Sequence, residues 1–137
     1  MEDLVETLTR GNPAEVKTVL ATVALALAGY QLVMAAVGYG KLRLGRLESG
    51  VAFRAHRAVG DTVALLMLIT GVMCVSVYGV EEPGHAVPAS LLLGVLAFKV
   101  AVVRRDFGLG RYLPVLGVTV FALLVVTWST SAAGVLA

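Results

Sequence analysis

Charge is what this sequence is shortest of. Charged residues make up 15% of its 137 positions, where soluble domains carry about 25%. Residues 18–40, 62–80 and 112–137 contain no charged side chain, and residues 83–103 contain only Lys99. Cysteine is almost as scarce. The single Cys74 excludes a disulfide within the chain, and the missing C-x-x-C-H excludes covalent haem attachment of the c type. Cysteine-based zinc and iron–sulfur sites go the same way. Alternation is lacking too: the apolar runs do not switch between polar and apolar at every residue, as barrel strands do. The spans hold no buried acid relay, no broken-helix pair and no inverted repeat, which argues against a transporter or channel. No catalytic constellation stands out.

What remains is four apolar runs. A hydrocarbon core about 30 Å thick needs roughly 20 residues of helix. Inside lipid every backbone polar group must be bonded within the protein, which selects helices. The expected fold is therefore all-α: one domain, an integral membrane four-helix up-and-down bundle. Its spans fall at about residues 14–40, 57–80, 86–104 and 112–135. Pro13 suits the first turn of the first helix. The second helix starts between residues 51 and 59. The third starts near Ala86, with Pro88 in its first turn. Residues 1–10 suit a short amphipathic helix on the membrane surface, with Leu4, Val5 and Leu8 on one side. The N-terminus has no basic leader, so the first run reads as a retained span. Four spans leave no room for a soluble catalytic domain.

The loops set an orientation. Lys41, Arg43, Arg46, Arg54 and Arg57 lie between the first two runs, and Arg104, Arg105 and Arg111 between the last two. The intervening turn carries Glu81 and Glu82. The positive-inside rule puts the basic loops, residues 41–57 and 104–111, in the cytoplasm of a cell (plasma) membrane protein, with both termini outside. Basic clusters beside membrane spans meet anionic lipid, so no nucleic-acid partner is expected.

Small residues at helical spacing mark the faces on which helices approach closely. The first run has Thr22, Ala26, Gly29, Ala36 and Gly40; the third has Ser90, Gly94, Ala97 and Ala101. The richest stripe is on the second run, where His56, Gly60, Met67, Gly71, Cys74 and Tyr78 lie within about 60° of one another. That stripe reads equally as a packing seam and as a cofactor face.

There are two histidines, and haem iron in membrane bundles takes histidine, sometimes methionine, from facing helices. His56 and His85 cannot share one haem. They stand at opposite ends of their spans, roughly 30 Å apart by helix rise. Met73 and His85 can meet near the outer surface and form an axial pair. His56, with Arg54 and Arg57, then sits at the inner face, in contact with quinone, lipid or haem propionate. His85 also reads as a loop histidine. Asp61 is expected to pair with Lys99, or with Arg57 one turn away, while Lys99 snorkels. Gln31 and residues 127–131 are polar groups near the membrane, Trp128 an anchor or a core aromatic.

Several short motifs carry a resemblance: Val16-Lys17-Thr18-Val19-Leu20-Ala21, Gln31, Tyr39-Gly40, His56-Arg57-x-x-Gly60, His85, Lys99 and Thr127-Trp128-x-Thr130-Ser131-Ala132. In this order, and across most of the chain, they look like an uncharacterised family of small four-span membrane proteins, mainly actinobacterial. That family resembles transmembrane b-type cytochromes and ferric-reductase-like haem domains. In its pattern a histidine stands near the outer end of the second span and another where His85 stands. Met73 occupies the first of these places here. The resemblance implies haem b and electron transfer as a subunit of a larger membrane redox complex. It implies His/Met ligation, which raises the potential, or loss of the haem. The alternative is a cofactor-free accessory subunit that packs against partner helices, other copies of itself and lipid.

Overall fold

The computed structural model describes the backbone of residues 7, 10–78, 83–105 and 108–136. The expected surface helix over residues 1–10 and the Glu81–Glu82 turn fall almost wholly outside them. The described chain is helical: α1 spans Pro13–Gly38, α2 Ser49–Tyr78, α3 Pro83–Arg105 and α4 Leu113–Leu136, with a single 3-10 turn at Gly110–Tyr112 leading into α4. All four long helices have the length and apolarity to cross a membrane. The fold class read from the sequence is the fold observed.

Local chemistry sets most of the ends. Pro13 opens α1, where a missing N–H costs nothing. Asn12 Nδ2 donates to Glu15 Oε2 across that first turn. At the other end Lys41 N donates to Ala36 O at 2.8 Å and Gly40 N to Val37 O at 3.0 Å. Gly40 sits at φ +69°. This is the Schellman arrangement, in which glycine takes the left-handed position without a Cβ penalty.

Two starts differ from expectation. α2 begins at Ser49, with Glu48 O accepting from Val51 N and Ala52 N, both at 3.1 Å. At 30 residues it is about 45 Å long by helix rise, longer than the hydrocarbon core. Its charged first turns, which carry Arg54 and Arg57, therefore continue the helix beyond the apolar span. α3 begins at Pro83 rather than near Ala86, which puts Pro88 inside the helix, past its first turn. There it withholds the N–H that the Gly84 carbonyl would otherwise receive.

The helices form a ring in the order α2, α1, α4, α3. The α1–α2 face is the most extensive, α3–α4 and α1–α4 follow, and the α2–α3 seam is the sparsest. One buried cluster joins all four: Ala28 from α1, Val63 and Met67 from α2, Leu92 from α3, Val120 and Leu124 from α4. A second joins Met34 and Val37 to Ala52 between α1 and α2. Large aliphatic side chains also point outward, among them Val19, Leu65, Leu68, Val75, Leu91, Val115 and Val118. Such a surface suits lipid and would be a liability in water.

Candidate functional site

Two polar junctions lie at opposite ends of the bundle, and each is organised by one of the histidines. The one at the start of α3 joins three helices. His85, near the start of α3, places Nδ1 3.1 Å from Thr130 Oγ1 on α4 and Nε2 4.0 Å from Cys74 Sγ on α2. The Thr130 hydroxyl gives its own proton to Thr127 O at 2.9 Å. Its oxygen must then accept from His85, so Nδ1 carries the imidazole proton. Nε2 faces the Cys74 sulfur. A ring whose far N–H is held by a neighbouring oxygen is the usual arrangement of a metal-binding histidine.

Close by, α4 is tied to α1. Trp128 Nε1 donates to Thr22 Oγ1 at 3.0 Å, and the Thr22 hydroxyl donates in turn to Thr18 O at 2.7 Å. Thr127 and Ser129 spend their hydroxyls within α4, on Leu123 O and Val125 O.

The junction at the other end links α1 to α2. His56 Nδ1 lies 2.9 Å from the backbone oxygen of Gln31, and Gln31 Nε2 donates to the backbone oxygen of His56 at 3.0 Å. A carbonyl only accepts, so this ring too carries its proton on Nδ1. Gly60 makes the contact possible, since a Cβ there would stand 2.7 Å from Gln31 Nε2. His56 is half-buried, while Arg54 and Arg57 on either side of it are exposed.

The stripe on α2 is thus its inward face. His56 and Gly60 meet Gln31, Met67 enters the central cluster, Gly71 lies within reach of Leu93, and Cys74 meets His85. From His56 to Cys74 the helix climbs about 27 Å, so the two junctions are separate sites. Met73, next to Cys74 and half-buried, is turned about 100° from it around the helix. The sulfur that faces His85 is that of Cys74.

Asp61 and Lys99 are not joined. Among the described residues Asp61 makes no ion pair with Lys99 or with Arg57. Asp61 is exposed on α2. Lys99 runs along α4, its Nζ 3.8 Å from where a Cβ of Gly117 would be. No group of three or more His, Cys, Asp or Glu converges among the described residues.

Reading the sequence missed two partners, Gln31 for His56 and Thr130 for His85. The signal for Gln31 was its isolation as a lone amide in an apolar run, with Gly60 one turn from His56 on the facing helix. For Thr130 there was only its place among several hydroxyls. Compared with known sequences, the chain belongs to a family of unknown function, DUF6529, which it matches over residues 3–137. No curated protein and no solved structure matches it.

Proposed function

We propose that this is a small b-type-cytochrome-like electron-transfer protein of the cell membrane, a subunit of a larger redox assembly that holds haem b at the outer end of the bundle. The observation that carries the reading is the placement of His85, with Nδ1 against Thr130 and Nε2 facing a sulfur-bearing turn of α2. The donor set fits. A haem macrocycle supplies four nitrogens, so two protein ligands suffice, and imidazole with sulfur is a known axial combination.

Bound there, haem supplies one-electron chemistry. The chain's own residues do the rest. His85 binds, Thr130 fixes the plane of its ring, and Met73 or its neighbour Cys74 closes the other face. Val63, Met67, Leu92 and Leu124 wall off the interior below, and such burial tunes the potential. At the inner end, His56, Arg54 and Arg57 are too far away to touch the same haem, and the two exposed arginines suit anionic headgroups. The basic loops support a cytoplasmic position for that end.

A reduced-minus-oxidised spectrum of the purified protein tests the reading. We expect a haem b α-band in the wild type and its loss in His85→Ala. A wild-type protein purified from haem-replete cells without that band overturns it.

One observation favours the second reading, a cofactor-free accessory subunit. Ser90, Gly94 and Ala97 form a small-residue stripe on α3, yet all three are exposed and nothing lies within 4 Å of a Cβ placed on Gly94. Such a face suits close approach by a helix of another subunit or copy. A colourless protein that co-purifies with stoichiometric membrane partners supports this reading.

A further inference from the structure

We infer that the loop between α1 and α2 is a lipid-binding segment: Leu42, Leu44 and Leu47 enter the acyl chains, and Lys41, Arg43 and Arg46 hold anionic phospholipid headgroups. The site lies at the end of the bundle away from His85 and does not depend on haem. Its height is set by its flanks. Phe53 of α2 meets Tyr39 edge-on at 5.2 Å, and its ring stands 2.9 Å from where a Cβ of Gly38 would be. Phe53 is therefore level with the end of α1. α2 begins four residues earlier, at Ser49, which is about 6 Å of helix rise. The loop thus leaves and rejoins the bundle within about one turn of the same level. Tyr39, and Tyr112 where the chain enters α4 at this same end, are both exposed. Exposed tyrosines at a span end mark the headgroup layer.

At that level the loop interleaves two chemistries. All three leucines are exposed, and so are the three cations between and beside them. A tight turn gathers them: Leu47 N donates to Leu44 O at 3.1 Å, with Gly45 inside the turn at φ +57°. In water three leucines around one exposed turn would be a liability. At the boundary between acyl chains and headgroups their burial is favourable, and the long basic side chains keep their charged ends among the phosphates.

Charge names the lipid. Residues 41–57 hold five Lys or Arg and residues 104–111 hold three, against Glu48, Asp61 and Asp106. Among the described residues none of the five forms an ion pair. Arg111 is the exception at this end, stacked 4.7 Å from the centre of the Tyr112 ring. A zwitterionic surface offers these cations no net counter-charge, whereas an anionic leaflet attracts each of them. A nucleic acid would match the cations and leave the leucines in water. An anionic bilayer satisfies both.

The test reconstitutes the full chain in phosphatidylcholine vesicles with trace spin-labelled phosphatidylglycerol or phosphatidylcholine. Electron paramagnetic resonance reads the fraction of each lipid held at the protein. At low salt the wild type should favour phosphatidylglycerol by about threefold or more. The preference should shrink at high salt, where screening is strong. Lys41→Gln, Arg43→Gln and Arg46→Gln together should remove most of it, while Arg10→Gln at the opposite end should leave it unchanged. In a Cys74→Ala background, a nitroxide on Leu44→Cys should be relaxed more by oxygen than by a water-soluble nickel chelate. On Arg46→Cys the order should reverse. Equal association of the two lipids with the wild type overturns the inference, as does a preference that the triple variant retains. A Leu44 label as open to the chelate as the Arg46 label overturns it too, as does one shielded only when an acidic protein co-purifies. The wild-type preference and the label depths are read without the triple variant, so its failure to fold would not rescue the inference.

Discussion

Gly60 shows how much one missing Cβ can support. The Gln31 amide reaches His56 O only because nothing stands at that position, where an alanine methyl would come within 2.7 Å of Gln31 Nε2. Gly60→Ala should therefore push the amide away and cost about 1–2 kcal/mol, the range for a polar contact between membrane helices. Thermal unfolding in mild detergent reads this directly. Gln31→Ala removes both the bond and the obstacle, so the double variant should lose less than the sum of the two single losses. An additive result would mean that Gly60 serves some other contact. The sequence displays Gln31 as an isolated amide and His56 as an interfacial imidazole. It does not pair them, because that depends on how α1 is rotated against α2, a tertiary fact. The same holds for His85 and Thr130, which stand 45 residues apart.

At the scale of the helix, the α1–α2 contact is tightest where α1 ends. A Cβ on Gly38 would fall 2.9 Å from the Phe53 ring, and Tyr39 meets the same ring edge-on at 5.2 Å. Gly38→Ala should cost about 1–3 kcal/mol through overpacking. Phe53→Leu, which trims the opposing surface, should restore part of that loss, and unfolding of the three variants checks it. The ends of α1 were legible because Pro13 and Gly40 have distinct backbone preferences. The start of α2 was not, since a charged amphipathic turn such as residues 49–57 reads as loop when apolarity is the guide. α3 misled for the opposite reason: Pro88 suggests a helix start close by, and the chain instead tolerates a proline past the first turn.

Over the whole molecule, four spans and their antiparallel order follow from hydropathy and short connections, and both were readable in advance. The sequential order around the ring follows from the same short connections; the unequal closeness of its four faces was not readable. Helices adjacent in sequence are adjacent in space here, but α2 and α3 share the sparsest face, while α1 and α4 close the ring more tightly through Gly29 beside Phe121 and Trp128 on Thr22. The proposed orientation makes a prediction at this scale. In a Cys74→Ala background, Glu48→Cys should react with a membrane-impermeant maleimide only after lysis, and Asn12→Cys should react in intact cells. The reverse pattern would sink the assignment of the basic loops to the cytoplasm.

The reciprocal bonds between Gln31 and His56 bear on biosynthesis. Both ends of this lock belong to the first two helices, as do Gly38, Phe53 and the Met34–Val37–Ala52 cluster. The ribosome completes that hairpin before α3 and α4 exist. The pair can then leave the translocon with its polar groups already satisfied by each other, and serve as the template on which the second half of the chain docks.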